Sequence, residues 1–385
     1  MCDLTKNSPA KEHFIGLGNG LTPFFDKIES FTHVNGKEFS INDSDISFKN
    51  DVLHVPLNHK KRYHRMIALI AYNCSVPIYI LYKLITKRHS HKVIYSRHMP
   101  ADMVNILISK LFNVKYIVEI NGDVTTDREL TNKNKFITRF LAFIQKFVIK
   151  NSDFVVVPTS NLKSILSETH CLLENKVIHI ENGFSLERFD EIDGARLFKK
   201  EGKVIIGFGG VFSIWQGLDL ILECCDFLDD DVLDKIKFVL VGDGPEFNKI
   251  KNKVEDFNLS EYFTFTGFVN QSDYISSVKK FDICIAPYIK KRNDKWGVSP
   301  IKIHSYLACK KPIITSNISG ARELITNSNA GYLFEPDDAE DLARKLTFAV
   351  NNLREATQKG LDGYIYLSEN LTWNKFAEEF YEKIK

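Results

Sequence analysis

The segment Ser299-Pro300-Ile301-Lys302 reads as the opening of a helix, because serine caps helix N-termini and proline is favoured in the first turn. Lys302 then falls in that first turn, where a cation opposes the helix dipole and is unfavourable unless an anion sits there. Upstream, Gly209-Gly210 closes a β-rich run and would let backbone amides approach the same anion. Cations and helix N-terminal amides together stabilise negative charge, as on the oxygens of a departing phosphate. A solvated lysine and a tight strand-to-helix turn without ligand are the plainer readings of these residues. In the first half, Tyr95-Ser96-Arg97-His98 and Glu119-Ile120-Asn121-Gly122-Asp123 each follow an apolar run. Arg97, Glu119, Asn121 and Asp123 are thereby polar groups at strand ends, where small polar ligands are held; helix capping is the alternative for Asp123.

Strands must end where these residues lie. In the second half, β-rich runs at Lys203–Phe208, Lys237–Val241, Tyr262–Thr266, Asp282–Ala286 and Pro312–Thr315 predict strands. Helical patterns at about Gln216–Leu228, up to Phe257, at Ser272–Lys279 and at Pro300–Cys309 lie between them. The first half repeats this with strands at Lys92–Tyr95, Lys115–Ile120, Phe154–Val157 and Lys176–Ile180, and helices at about Ala101–Leu111 and Asn134–Ile149. His13–Leu17 is read as the first strand, with Gly16, Gly18 and Gly20 in its turn, although the spacing is not that of a dinucleotide fingerprint. The alternation predicts an α/β chain of two doubly wound, Rossmann-like domains facing across a cleft that binds small ligands. The expected domains are residues 1–190 and 191–370, hinged at Asp190–Gly202, with a C-terminal helix in 371–385 packing back on the first.

The chain has 385 residues, 44% hydrophobic and 26% charged, a composition that excludes a disordered chain. Residues 1–190 hold 25 Lys+Arg against 19 Asp+Glu, and residues 191–385 hold 26 against 30, so an anionic partner is expected on the first half. Seven scattered cysteines with no Cys-x-x-Cys pair exclude a zinc frame and read as reduced thiols. Met1–Ala10 is polar, unlike a signal-peptide core, and a cytoplasmic location is expected.

Seven motifs follow one another in a telling order. They are Val157-Pro158-Thr159-Ser160, Glu181-Asn182-Gly183-Phe184, Phe208-Gly209-Gly210 with Trp215-Gln216-Gly217-Leu218-Asp219, and Val241-Gly242-Asp243-Gly244-Pro245. Then come Thr266-Gly267-Phe268-Val269, Ser299 to Ala308 with Lys311-Pro312-Ile313-Ile314, and Gly320-Ala321-Arg322-Glu323. The series, from about Lys92 to Leu342, resembles family 4 of the retaining glycosyltransferases, in the branch with an SPxK donor motif. The resemblance implies a GT-B fold and a retaining, hexosyltransferase-type reaction. A sugar would pass from a nucleotide-diphosphate sugar to a glycan or lipid-linked acceptor, in surface polysaccharide or glycoconjugate synthesis, with no cofactor and no metal. It further implies donor binding by Gly209, Gly210, Gly242, Gly267, Phe268, Ser299, Pro300, Ile301, Lys302 and Ser305. Lys302 and Asn121 would be catalytic, and Arg97, Glu119, Asn121 and Asp123 would lie on the acceptor side.

The chain departs from the family pattern at four places, one of them Lys310, where a small residue is usual. Ser305 stands where a glutamate usually grips the donor ribose, and Val211 and Gln216 stand where many members aim Arg and Lys at the pyrophosphate. Lys290, Lys291, Arg292 and Lys295 form a basic loop able to supply the missing charge, or a merely solvated one. These departures keep two alternatives open: a catalytically weak nucleotide- or sugar-binding partner subunit, and a nucleotide-sugar epimerase.

Between Asp51 and Asp102 there is no acidic residue, whereas Lys60, Lys61, Arg62, Arg65, Lys83, Lys87, Arg88, Lys92 and Arg97 surround the apolar run Met66–Tyr82. Interrupted by Asn73, Ser75 and Pro77, that run is short for a membrane span and predicts a helix pair broken near Pro77. Basic flanks suit anionic headgroups, so residues 60–97 are expected to dock on the cytoplasmic membrane face, and no nucleic acid is expected as a partner.

Overall fold

The computed structural model describes residues 9–35, 49–55, 62–86, 93–122, 134–173, 175–190, 198, 202–299 and 301–385. The chain divides into two compact units, Met1–Gly183 with Trp373–Lys385, and Phe184–Thr372.

In the first unit, β1 (Glu29–Asn35) and β2 (Lys49–Val55) form a parallel pair with Glu29 opposite Lys49. A separate all-parallel sheet runs in the order β3 (Val93–Arg97), β4 (Lys115–Glu119), β5 (Phe154–Val157), β6 (Val177–His179). Its central strands carry continuous buried apolar residues, Tyr116 to Val118 and Val155 to Val157, as parallel strands covered on both faces require. Helices α1 (Pro9–Leu21), α2 (Arg62–Thr86), α3 (Asp102–Leu111), α4 (Lys135–Asn151) and α5 (Ser160–His170) belong to this unit, with α3 packed between α2 and α4. Leu17 and Leu21 of α1 share a core with Ile117, Ile178 and the C-terminal helix Trp373–Ile384.

Two expectations are corrected here. His13–Leu17 is not a strand but the middle of α1. Its glycines lie on a packing face: a Cβ on Gly16 would overlap the Trp373 indole, and one on Gly20 the Trp373 carbonyl. Gly183 meets the same indole. Glycine lowers helix propensity by about 1 kcal/mol relative to alanine, and here close approach to a tryptophan outweighs that loss. Likewise α2 does not break near Pro77 but runs through it. Proline removes one i→i−4 bond, and burial of Val76 before it and Leu84 beyond it holds the helix on both sides. No helix among the described residues is long and apolar enough to cross a membrane.

The second unit is a six-stranded parallel sheet in the order β12-β11-β10-β7-β8-β9. Its strands are β7 (Val204–Gly209), β8 (Ile236–Val241), β9 (Phe263–Gly267), β10 (Ile283–Ala286), β11 (Ile313–Ser316) and β12 (Gly331–Phe334). The order reverses between β7 and β10, which makes their carboxyl ends the switch point of a doubly wound sheet, where such sheets hold ligands. One core gathers Phe208, Ile221, Phe238 and Leu346, and another Ile205, Val239, Ile303 and Leu324, so alternate strand residues face two apolar layers.

The main helices are α6 (Leu218–Glu223), α7 (Phe247–Asp256), α8 (Gln271–Lys280), α9 (Lys290–Trp296), α10 (Ile301–Ala308), α11 (Ala321–Ser328), α12 (Ala339–Asn351) and α13 (Leu353–Asn370). The single helix expected at Gln216–Leu228 is instead α6 between two 3-10 turns. Gly217 interrupts it at φ 66°, where a Cβ would collide with the Pro287 carbonyl. The basic stretch expected as a loop is helix α9, anchored by buried Asn293, whose side chain donates to the carbonyls of Trp215 and Ile289. Apart from Asp190, Phe198 and Gly202, the expected hinge lies outside the described residues.

Candidate functional site

At the switch point, the carboxyl ends of β7, β8 and β9 finish in Gly210, Gly242 and Gly267, with φ of 148°, 130° and 69°. A Cβ on Gly242 would overlap the Gly210 carbonyl, so these strand ends touch through backbone alone. The amides expected to reach an anion are already engaged: Gly209 N–H donates to Tyr306 Oη at 2.9 Å and Gly210 N–H to the Val241 carbonyl at 2.9 Å. What the glycines provide is room at the strand ends.

Lys302, in the first turn of α10, fills the edge of that room. Its Nζ lies 3.9 Å from the centre of the Phe208 ring and 5.6 Å from that of Tyr288, and a Cβ on Gly210 would sit 3.2 Å from it. The ammonium donates to Gln216 Oε1, and no carboxylate of the described residues pairs with it. Burial pushes the Lys302 pKa well below the ordinary lysine range. Aromatic faces and an amide oxygen partly replace water around this cation, and a bound anion would complete the set. The first-turn amides of α10, which have no intrahelical acceptor, start at the same place.

The other expected donor residues are placed as follows. Ser299 and Ile301 flank the start of α10 and are half-buried, while Pro300 is outside the described residues. Ser305 is buried, with its hydroxyl 3.4 Å from the Ile301 carbonyl and hydrogen-bonded to Tyr274, so it turns into the protein. Phe268, directly after Gly267, exposes 72% of its surface. Arg292 of α9 stacks its guanidinium 5.1 Å from the Trp215 ring centre. One feature of α10 has no signal in the linear motif. His304 is 2% exposed, neither ring nitrogen has a hydrogen-bond partner among the described residues, and burial lowers its pKa to about 4.

In the first unit the strand-end groups converge on one buried carboxylate. Glu119 Oε2 accepts from Tyr95 Oη at 2.7 Å and lies 2.9 Å from His13 Nε2; Oε1 lies 3.4 Å from Arg97 Nε and accepts from Asn121 Nδ2. Burial alone would raise the Glu119 pKa, but His13, Arg97 and Asn121 outweigh it and hold the carboxyl well below the usual range. Four donors on one carboxylate leave it a poor base, so Glu119 orients its neighbours instead of taking a proton. With Nδ2 held by Glu119, Asn121 presents its Oδ1 at the exposed end of β4. A second buried carboxylate, Asp102, accepts from Ser96 Oγ, Tyr116 Oη and Met99 N–H and fixes the turn carrying Arg97 and His98. Asp123 is outside the described residues. His13 was not among the expected site residues, and nothing local ties it to Glu119, 106 residues away. Among the described residues no cluster of His, Cys, Asp and Glu could hold a metal ion.

Residues 189–360, which include the Gly210, Gly242 and Gly267 strand ends and Lys302, match the model of the family Glycosyl transferases group 1. This segment resembles a group 1 glycosyltransferase domain. An uncharacterized glycosyltransferase of Methanocaldococcus jannaschii is 25% identical over 75% of this chain and 73% of its own. Among solved structures, sucrose-phosphate synthase from Thermosynechococcus elongatus superimposes with a TM-score of 0.74 at 15% identity, covering 95% of this chain and 90% of that one. HepE of Anabaena, solved in complex with UDP, gives a TM-score of 0.69 at 12% identity, covering 99% and 97%. The fold is GT-B. All the donor-side residues named above lie within the glycosyltransferase domain match, whereas Arg97, Glu119 and Asn121 lie outside it.

Proposed function

We propose that this protein is a glycosyltransferase that moves a hexosyl group from a nucleotide-diphosphate sugar to a glycan or lipid-linked acceptor, with retention of anomeric configuration. The observation that carries the reading is the half-buried Lys302 ammonium, unpaired with any carboxylate of the described residues and set beside Gly210 at the switch point. The diphosphate would draw the ammonium from Gln216, and charge building on the leaving oxygens would be stabilised by Lys302 and the first-turn amides of α10. That arrangement needs no metal. Phe268 offers an exposed ring to the base beside Gly267, and Asn121 Oδ1 offers an acceptor to a sugar hydroxyl. The UDP bound to HepE supports a diphosphate donor. Surface glycan synthesis on the cytoplasmic membrane face is the setting this acceptor class implies.

Thermal-shift screening against UDP, GDP, CMP and their sugars, followed by donor hydrolysis without acceptor, tests the reading. A donor at about 100 times its Kd should stabilise the fold by about 2.7 kcal/mol, and water should slowly accept the sugar. If no nucleotide raises Tm, the reading fails. Binding without hydrolysis or transfer would favour a partner subunit, a reading motivated by the inward Ser305 and by neutral Gln216 beside Lys302.

A further inference from the structure

Three neighbouring helices of the first unit hold apolar side chains in water. On α4, Phe136 is 81% exposed, Ile137, Phe140 and Phe143 are exposed as well, and Phe147 is half-buried. The phenylalanines recur at i, i+4, i+7 and i+11, which is one stripe of a helix. Lys135, Arg139, Lys146 and Lys150 are exposed on the same helix, which has no acidic residue. On α3, Val104, Leu107 and Leu111 are exposed at i, i+3 and i+7. On α2, Ile70, Cys74, Ile78, Tyr82 and Ile85 form a third exposed stripe. Single exposed apolar residues are ordinary, but stripes on three adjacent helices mark a surface built to be covered.

Charge decides what covers it. The acidic residue of these three helices is Asp102, and it is buried with its carboxylate on Ser96, Tyr116 and Met99. We propose that this helical layer docks on an anionic lipid bilayer, with α4 lying along the interface, phenylalanines toward the acyl boundary and cations toward the headgroups. A helix with aromatic and aliphatic residues on one side and Lys/Arg beside them is the kind that lies in a membrane interface. A second copy of this chain fits less well, because a twofold contact would set the cations of these helices against one another with no exposed carboxylate on the three helices to face them. The centre of the surface is α4, outside the window of residues 60–97. Within that window Lys83 is buried against Glu29, at 3.1 Å, and Arg97 lies on Glu119, so neither reaches for headgroups. The inference rests on this face and not on the donor site, so it stands or fails apart from the sugar-transfer reading.

The test is flotation of the full chain with vesicles of equal phosphatidylglycerol and phosphatidylcholine, and with pure phosphatidylcholine, at low and high salt. Wild type should float with the anionic vesicles at low salt and be released by salt. Arg139→Gln/Lys146→Gln/Lys150→Gln should weaken that binding by about 10²-fold, taking about tenfold per engaged cation and two of three engaged. Phe136→Ser/Phe140→Ser/Phe143→Ser should lose at least as much. Both variants should keep the wild-type Tm and any nucleotide-induced Tm shift, since these side chains are exposed. Wild type that does not float at low salt, that floats equally with neutral vesicles, or that is matched by both variants overturns the proposal. A concentration-dependent dimer abolished by the Phe variant, without vesicle binding, overturns it too and assigns the face to a second copy.

Discussion

Lys302 is a cation in a place that disfavours cations. Desolvation and the α10 dipole both oppose its charge, and among the described residues only aromatic faces and Gln216 offset them. Such a site gains most when an anion arrives, which is the property a diphosphate leaving group needs. Lys302→Ala should therefore cut transfer or donor hydrolysis by about 10²–10³-fold, the scale for removing one preorganised charge stabiliser. Its Tm without nucleotide should not fall, because the variant also removes a half-buried, partly desolvated charge; a wild-type turnover would remove the role. The sign of the pH effect follows from the same geometry. The donor binds the protonated amine, so affinity should be highest at low pH and decline as pH rises through the depressed Lys302 pKa. Calorimetry in buffers of different ionisation enthalpy should show proton uptake on binding in that range, and proton release would contradict the assignment.

At the scale of elements, α10 and α1 show which local rules held and which were overridden. The strands of both main sheets except β12 were legible because parallel strands buried on both faces read as apolar runs, KVIIGF and KFVLV among them; β12, the four-residue edge strand Gly331–Phe334, was not among those expected. The α10 start was legible as well, since a helix was expected from Pro300 and one begins at Ile301. Helix α1 was not, because Gly16 and Gly20 look like turn residues until Trp373, far along the chain, packs on them. Strands β1 and β2 are too polar to read as strands, and the His13–Glu119 contact is invisible to any local pattern. Gly16→Val should thus destabilise the first unit by about 2–3 kcal/mol through overpacking, seen as a lower Tm, and an unchanged Tm would mean that α1 is not held by that contact. His304 in α10 carries a pH signature. Below its ordinary pKa of 6.5 the unfolded chain takes up a proton that the folded chain refuses until about 4, so stability falls as pH falls through that window. At about pH 5 the loss should be about 2 kcal/mol relative to neutral pH. His304→Phe should abolish this part of the acid sensitivity in urea titrations, and an equal loss in both proteins would show that His304 is not its source.

On the scale of the whole molecule, the chain leaves the first unit at Gly183 and returns to it at Trp373, so the first unit is made of two separate pieces and the second of one. The returning piece is not ornamental: Trp373, Phe376, Phe380 and Ile384 are buried in the core that also holds Leu17, Ile117, Val156 and Ile178. Burying each of these four large side chains contributes about 1.5–3 kcal/mol, so together they contribute about 6–12 kcal/mol. That is comparable to the whole stability of a typical domain, about 5–15 kcal/mol. Ending the chain after Thr372 should therefore unfold the first unit, where the vacated core would expose Gly16, Gly20 and the apolar faces of β4 to β6. Phe184–Thr372 keeps its entire six-stranded sheet and both apolar layers, and should still melt cooperatively. Calorimetry should accordingly show one transition of the second unit surviving with reduced total enthalpy, and circular dichroism a loss of helix and strand attributable to the first. Any nucleotide that raises Tm in the intact chain should still do so in the truncated one, because Lys302 and the three strand-end glycines all lie in the surviving unit. Loss of every cooperative transition would mean that the second unit depends on the first for its fold, and an unchanged calorimetric profile would mean that the C-terminal helix contributes little to the core it occupies.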